Sequence, residues 1–169
     1  NYFKLFANLV KAMVNHRELV RMFLSDAQGS AAHYDLLRFL DAQKFAYAQA
    51  LRELKTDRKQ SHWIWYIFPQ QKGLGHSYNS KYYGLDGEGE ARAYVEHEIL
   101  GDRLRKCCKA LLLHKDKDIK YIMGSGIDVL KLKTSMRLFN KVSPDDVFEE
   151  VWMLSLKNIQ NSLYEGTIT

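Results

Sequence analysis

Cysteine and proline are nearly absent from this chain, with two of each in 169 residues. The cysteines, Cys107 and Cys108, are sequence neighbours, badly placed to bond each other and too few for a disulfide framework. That excludes a small secreted disulfide scaffold and leads us to expect a reducing interior such as the cytoplasm. Scarce proline argues against long extended linkers and for continuous helices. No apolar run approaches the ~18 residues that a membrane span requires. The first residues, NYFKLFANLVKAMVNHREL, are amphipathic rather than charged and then apolar, so no secretion signal is expected. Alternating apolar and polar runs, internal repeats and low-complexity tracts are missing as well.

Catalytic templates are also lacking. There is no HExxH, CxxC or GxSxG, and no G-x-x-x-x-G-K-[ST] phosphate loop. Gly73-Leu74-Gly75 has no third glycine and no preceding strand, so a dinucleotide fingerprint is not supported. Asp86-Gly87-Glu88-Gly89-Glu90 has neither the spacing nor the length of a calcium loop. No cofactor or metal site is expected, and no reaction can be assigned.

What is present describes a helical protein. Apolar residues make up 46% and charged residues 27%, enough for one substantial core. Tyr2, Phe6, Leu9, Val10 and Met13 recur at helical spacing, and the small polar stretch Ser25–Ala31 follows. Residues 1–32 therefore read as an amphipathic helical extension, and 33–169 as a single helical domain. From Asp35 to Lys59 the pattern predicts one broken helix or two short ones. HWIWYIF is taken as helix, stopped by Pro69, and Gln70–Gly89 is the longest irregular stretch. A short helix is expected over Glu90–His97. The next has its stripe at Leu100, Leu104, Cys107, Cys108 and Leu111. Another follows through Leu132, Met136 and Phe139. Ser143-Pro144-Asp145-Asp146 resembles an N-cap, a first-turn proline and acids opening a last helix. The class is all-α: mainly a helical array, with one long irregular loop and little or no sheet.

The stretch from Lys59 to Ser77 concentrates Trp63, Trp65, His62, Pro69, Gly73 and Gly75. Aromatics this dense form either a core or a pocket wall. His62 is the candidate acid or base, or a donor to an anion; the plainer alternative is a structural histidine bound to a backbone carbonyl. Trp63 and Trp65 point about 200° apart on a helix, so one belongs to the core while the other is able to stack on a planar ligand. Gln70 is placed to read a base edge or to cap the preceding backbone. Gly124-Ser125-Gly126 before a helix is a candidate anion-binding turn, with Lys131 and Lys133 nearby. Lys59, Lys81 and Arg92 join them only if the fold brings them together.

The runs YDLLRFLDAQ, YAQALRELKTDRKQSHWIWYIFPQ, GLGHS, EARAYVEHEILGDRLRKC and IMGSGIDVLKLKTSMRLF, in this order, carry a family likeness. From about Tyr34 to Phe148 the chain resembles the family catalogued as domain of unknown function 1810, sometimes mislabelled "calpastatin". Its structural superfamily is known from a mycobacterial hypothetical protein. The resemblance implies a mainly α-helical single domain and supplies no catalytic role. His97-Glu98 stands where that family has His-Pro, leaving the helix start there less sharply set. Ser61, His62, Trp63, Phe68, Pro69 and Gln70 are shared with it.

Two functions follow as expectations. One is a pocket around residues 59–77, roofed by the tyrosine-rich loop. It would bind a planar anionic metabolite such as a nucleotide or ADP-ribose derivative: Trp63 or Trp65 stacks, His62 and Gln70 hydrogen-bond, and Lys81, Arg92 or Lys131 meets phosphate. The other is a non-catalytic module contacting nucleic acid or a protein through a basic surface. The net charge of +5 and pI of about 9.1 allow it, although Lys and Arg are scattered among acids. Nucleic acid is the less favoured partner, and a membrane is not expected. The oligomeric state is not legible.

Overall fold

Helix α1 runs unbroken over Leu37–Lys55 in a computed structural model that describes residues 34–165, with side chains as far as Lys157. The amphipathic helix and linker expected over residues 1–32 lie outside the described residues. The break expected within α1 does not occur. No Gly or Pro interrupts the segment, and polar Gln43, which spoils the apolar stripe, turns inward. Its Nε2 donates to Tyr66 O at 2.7 Å and Tyr94 Oη at 2.9 Å, so its burial is satisfied.

Seven helices follow: α2 (Ile64–Ile67), α3 (Tyr78–Tyr82), α4 (Gly87–Glu96), α5 (Glu98–Leu112), α6 (Ile119–Met123), α7 (Gly126–Val142) and α8 (Phe148–Glu165). The described residues contain no strand, and their single isolated bridge joins Gln71 to Leu85. The fold is all-α. None of the described helices is long and apolar enough to cross a membrane.

Local chemistry sets the helix boundaries. Ser77 caps α3, accepting from Ser80 N, so the stretch expected to be irregular contains a helical turn. His97 caps α5 sharply without a proline: its Nδ1 accepts from Ile99 N at 3.1 Å and Leu100 N at 3.2 Å. Asp118 caps α6, and Gly124 ends it at φ 84°, a left-handed conformation that glycine adopts without a Cβ penalty. Ser125 then caps α7, accepting from Asp128 N.

One expected boundary is wrong. Ser143 ends α7 instead of opening α8, and α8 starts at Phe148. Asp146 is occupied elsewhere, accepting from Arg105 Nη2 at 2.8 Å, Ser143 Oγ at 3.0 Å and Val147 N at 2.8 Å. Residues 143–147 therefore form a turn pinned to α5.

In the compact unit beginning at Arg38, α7 is central, packing against α8, α4, α6 and α2. Phe39, Tyr94, Phe139 and Phe148 form a chain of rings with centroids 5.0–5.6 Å apart, all shut off from solvent. Cys107 and Cys108 lie on the buried stripe of α5, and burial pushes the Cys107 thiol up to about 12. They are packing residues, not reactive thiols.

Candidate functional site

The backbone joins the two halves of the site across 63 residues: Lys59 N donates to Ile122 O at 2.7 Å. This brings the stretch before α2 against the α6–α7 turn. A Cβ on Gly124 would sit 3.4 Å from Lys59 O, so the turn and the segment touch closely.

Between them lies a cavity of about 370 Å³. Lys59, His62, Trp65, Ser125, Asp128 and Lys131 line it, with Gly124 at the turn and Gln60, Ile64, Met123 and Ile127 completing the wall. At the first turn of α7, Lys59 Nζ reaches Asp128 Oδ2 at 2.8 Å and Lys131 Nζ reaches Asp128 Oδ1 at 3.4 Å. Two ammonium groups against one carboxylate leave one positive charge, on a helix end whose dipole has the same sign. Lys131 Nζ also stands 4.6 Å from the Trp65 ring centroid.

Of the candidates read from the sequence, the fold gathers Lys59, His62, Trp65 and Lys131 with the Gly124-Ser125 turn. His62 is exposed, and its backbone carbonyl accepts from Tyr66 Oη at 3.1 Å. Among the described residues no hydrogen bond of its imidazole is found, so the alternative of a tie to a backbone carbonyl is not seen there.

The others go elsewhere. Trp63 is only 1% exposed, and its Nε1 donates to Glu53 Oε2 at 2.7 Å; of the two tryptophans it is the core one and is not free to stack. Gln70 Nε2 donates to Thr134 Oγ1 on α7 and does not line the cavity. Arg92, on α4, donates to Val142 O at 3.3 Å. Lys81 is exposed on α3. The tyrosine-rich loop is no roof either. It packs on another part of Trp65, where Gly75, Asn79, Ser80, Tyr83 and Gly84 enclose a separate void of about 10 Å³ with Gln70 and Gln71.

Two residues were missed. Asp128, which holds both lysines, has a local signal: Ser125-x-x-Asp128 is a capping-box spacing. Glu53, within the charged run RELKTDRK, had none. Its buried carboxylate accepts from Gln60 N (2.9 Å), Ser61 N (3.1 Å), Ser61 Oγ (2.6 Å) and Trp63 Nε1 (2.7 Å). Burial opposes ionisation, but the bonds from Ser61, Gln60 and Trp63 outweigh it and hold the carboxyl at about 2. This cluster fixes the strip that carries Lys59 and His62.

Around the cavity, then, stand ammonium groups, an exposed imidazole, the first turn of a 17-residue helix and an indole. These are groups that recognise anions and flat rings. No group of three or more His, Cys, Asp or Glu able to hold a metal stands among the described residues.

A family model described as "Protein of unknown function (DUF1810)" matches residues 33–161. Among solved structures, the chain is similar to the conserved hypothetical protein Rv1873 from Mycobacterium tuberculosis. The two are 35% identical, with a TM-score of 0.66 and coverage of 74% of this chain and 86% of that one. Comparison with curated proteins gives no match.

Proposed function

The chain belongs to the DUF1810 family of proteins of unknown function, and for this member we propose a binding function: capture of a small planar anionic metabolite, nucleotide-like in chemistry, in the cavity between the Lys59–Trp65 strip and the start of α7. One observation carries it. Lys59 and Lys131 converge on Asp128 at the α7 N-terminus, beside Trp65, the only tryptophan lining the cavity. A lone surface ion pair needs no such assembly. Here two cations share one carboxylate, so an anion entering the cavity meets net positive charge. About 370 Å³ lies within the range of small-molecule sites. His62, exposed at the wall, serves as a further donor; if the ligand is processed, it is the acid or base.

The test combines thermal denaturation with amide mapping across nucleotides, NAD and ADP-ribose. A ligand at ~100 times its dissociation constant adds about 2.7 kcal/mol, a shift of several degrees. The reading expects one compound to raise the melting temperature and to move the amides of residues 124–128 together with the Trp65 indole N–H. A panel that moves none of them overturns it.

A second reading, a module contacting nucleic acid, draws on the tyrosine loop. Tyr78 (75% exposed) and Tyr82 (40% exposed) stack at 5.6 Å with a 9° interplanar angle, near Lys81. Stabilisation by oligonucleotides alone, falling steeply with salt, favours it.

A further inference from the structure

The two lysines of the cavity are not equivalent. Lys59 is held from three sides: Nζ donates to Ser61 O at 2.7 Å, pairs with Asp128 Oδ2 at 2.8 Å and lies 5.0 Å from the Trp63 ring centroid. Its side chain is 7% exposed. Lys131 has only the long 3.4 Å approach to Asp128 Oδ1 and the 4.6 Å stand over Trp65, and its side chain is 21% exposed. Its ammonium therefore covers a face of the one tryptophan bordering the cavity. A flat ligand seeking that face finds a cation already on it.

Resting on the pocket reading above, we propose that Lys131 makes the site selective for a planar ring that carries phosphate over the same ring without it. A phosphate monoester brings a charge of about −1.5 to −2 and several strong acceptor oxygens. It offers the ammonium a charge-assisted hydrogen bond, which is stronger than a cation–ring contact plus a 3.4 Å ion pair. Lys131 leaves the indole for the phosphate, and the uncovered ring receives the base. The lysine's four-carbon stem permits the swing. Asp128 is not stranded by it, because Lys59 still pairs with its other oxygen. An uncharged base offers the ammonium only neutral ring-nitrogen acceptors, weaker partners than phosphate oxygens. It has to push Lys131 into solvent, and the loss of the cation–ring contact lowers its affinity roughly tenfold.

The test titrates adenosine 5′-monophosphate, adenosine and inorganic phosphate into the wild type and Lys131→Met, which keeps the apolar stem and removes the charge. Calorimetry should show the wild type preferring the monophosphate over adenosine by tenfold or more. In Lys131→Met the monophosphate should weaken at least tenfold while adenosine tightens a few-fold, so that the ratio collapses. Inorganic phosphate should move the Trp65 indole N–H signal in the wild type and not in the variant. An unchanged ratio in Lys131→Met, or a wild type that binds adenosine as tightly as the monophosphate, overturns the role of Lys131 alone. If no probe moves the wild-type amides of residues 124–128, the pocket reading falls, and this inference with it.

Discussion

Trp63 Nε1 donates to Glu53 Oε2 at 2.7 Å, tying the largest buried side chain of the aromatic strip to the last turns of α1. The same carboxylate holds the backbone N–H groups of Gln60 and Ser61, so one residue orders the approach to the cavity.

Glu53→Gln should cost ~3 kcal/mol in urea denaturation at neutral pH, since an amide cannot satisfy the donors converging there. The acid limb follows the sign of the shift. With the folded carboxyl at about 2 against an ordinary 4.5, its contribution is complete above pH ~4.5 and fades as pH falls from there toward 2. The ~2.5 units between them correspond to ~3 kcal/mol, which the variant should not lose again on acidification.

His97 caps α5 through an unprotonated Nδ1. Burial, with help from Arg103, pulls its pKa down despite the opposing charge of Glu98. The stability it adds is full above the unfolded value of ~6.5 and declines as pH drops below it. His97→Asn should keep the cap and flatten this part of the pH profile, whereas His97→Ala should lose ~1 kcal/mol at pH 8.

Gly101 is where α5 meets the end of α4. A Cβ there would stand 2.1 Å from Val95 O and 3.0 Å from Val95 C, both backbone atoms. Gly101→Ala should lower the melting temperature by several degrees, a loss of ~2 kcal/mol or more, despite alanine's better helix propensity.

Trp65 Nε1 is shut off from solvent and has no hydrogen-bond partner among the described residues. The small void beside this residue, about 10 Å³ with Gln70, Gln71, Asn79 and Ser80 in its wall, has the size and polarity to hold one water. A high-resolution crystal structure should show that water within hydrogen-bond reach of the indole. Density elsewhere in the void, with Nε1 still unpaired, would contradict this.

The parts legible in the sequence are those decided locally. Helix α5 displays its buried face through Leu100, Leu104, Cys107 and Leu111, all at helical spacing. The Gly124-Ser125 turn and Lys131 lie a few residues apart, so their association was readable. What escaped is decided by distant partners. Ser143-Pro144-Asp145-Asp146 has every local mark of a helix start, yet Arg105, 41 residues away, takes Asp146. Gln43 looks like a break in α1 until Tyr66 and Tyr94 appear beside it. Glu53 reads as one solvated charge among many. The meeting of Lys59 with α7 depends on a backbone contact at Ile122 that no spacing rule announces.

The loop from Lys72 to Gly84 is closed at its neck by Lys72 N to Leu85 O and Leu85 N to Gln70 O, both 2.8 Å. Beneath them Arg38 reaches Tyr82 O at 2.8 Å and Gly84 O at 3.1 Å, and Glu90 Oε1 at 2.5 Å. Gly73, at the exposed end, has open space where a side chain would project. The exposed tip at Gly73 thus stands outside the hydrogen bonds that close the neck. A foreign peptide grafted between Gly73 and Leu74 would be displayed from a clamped base, at residues that do not line the cavity at the start of α7, which makes this turn a natural attachment point for a label or an affinity handle.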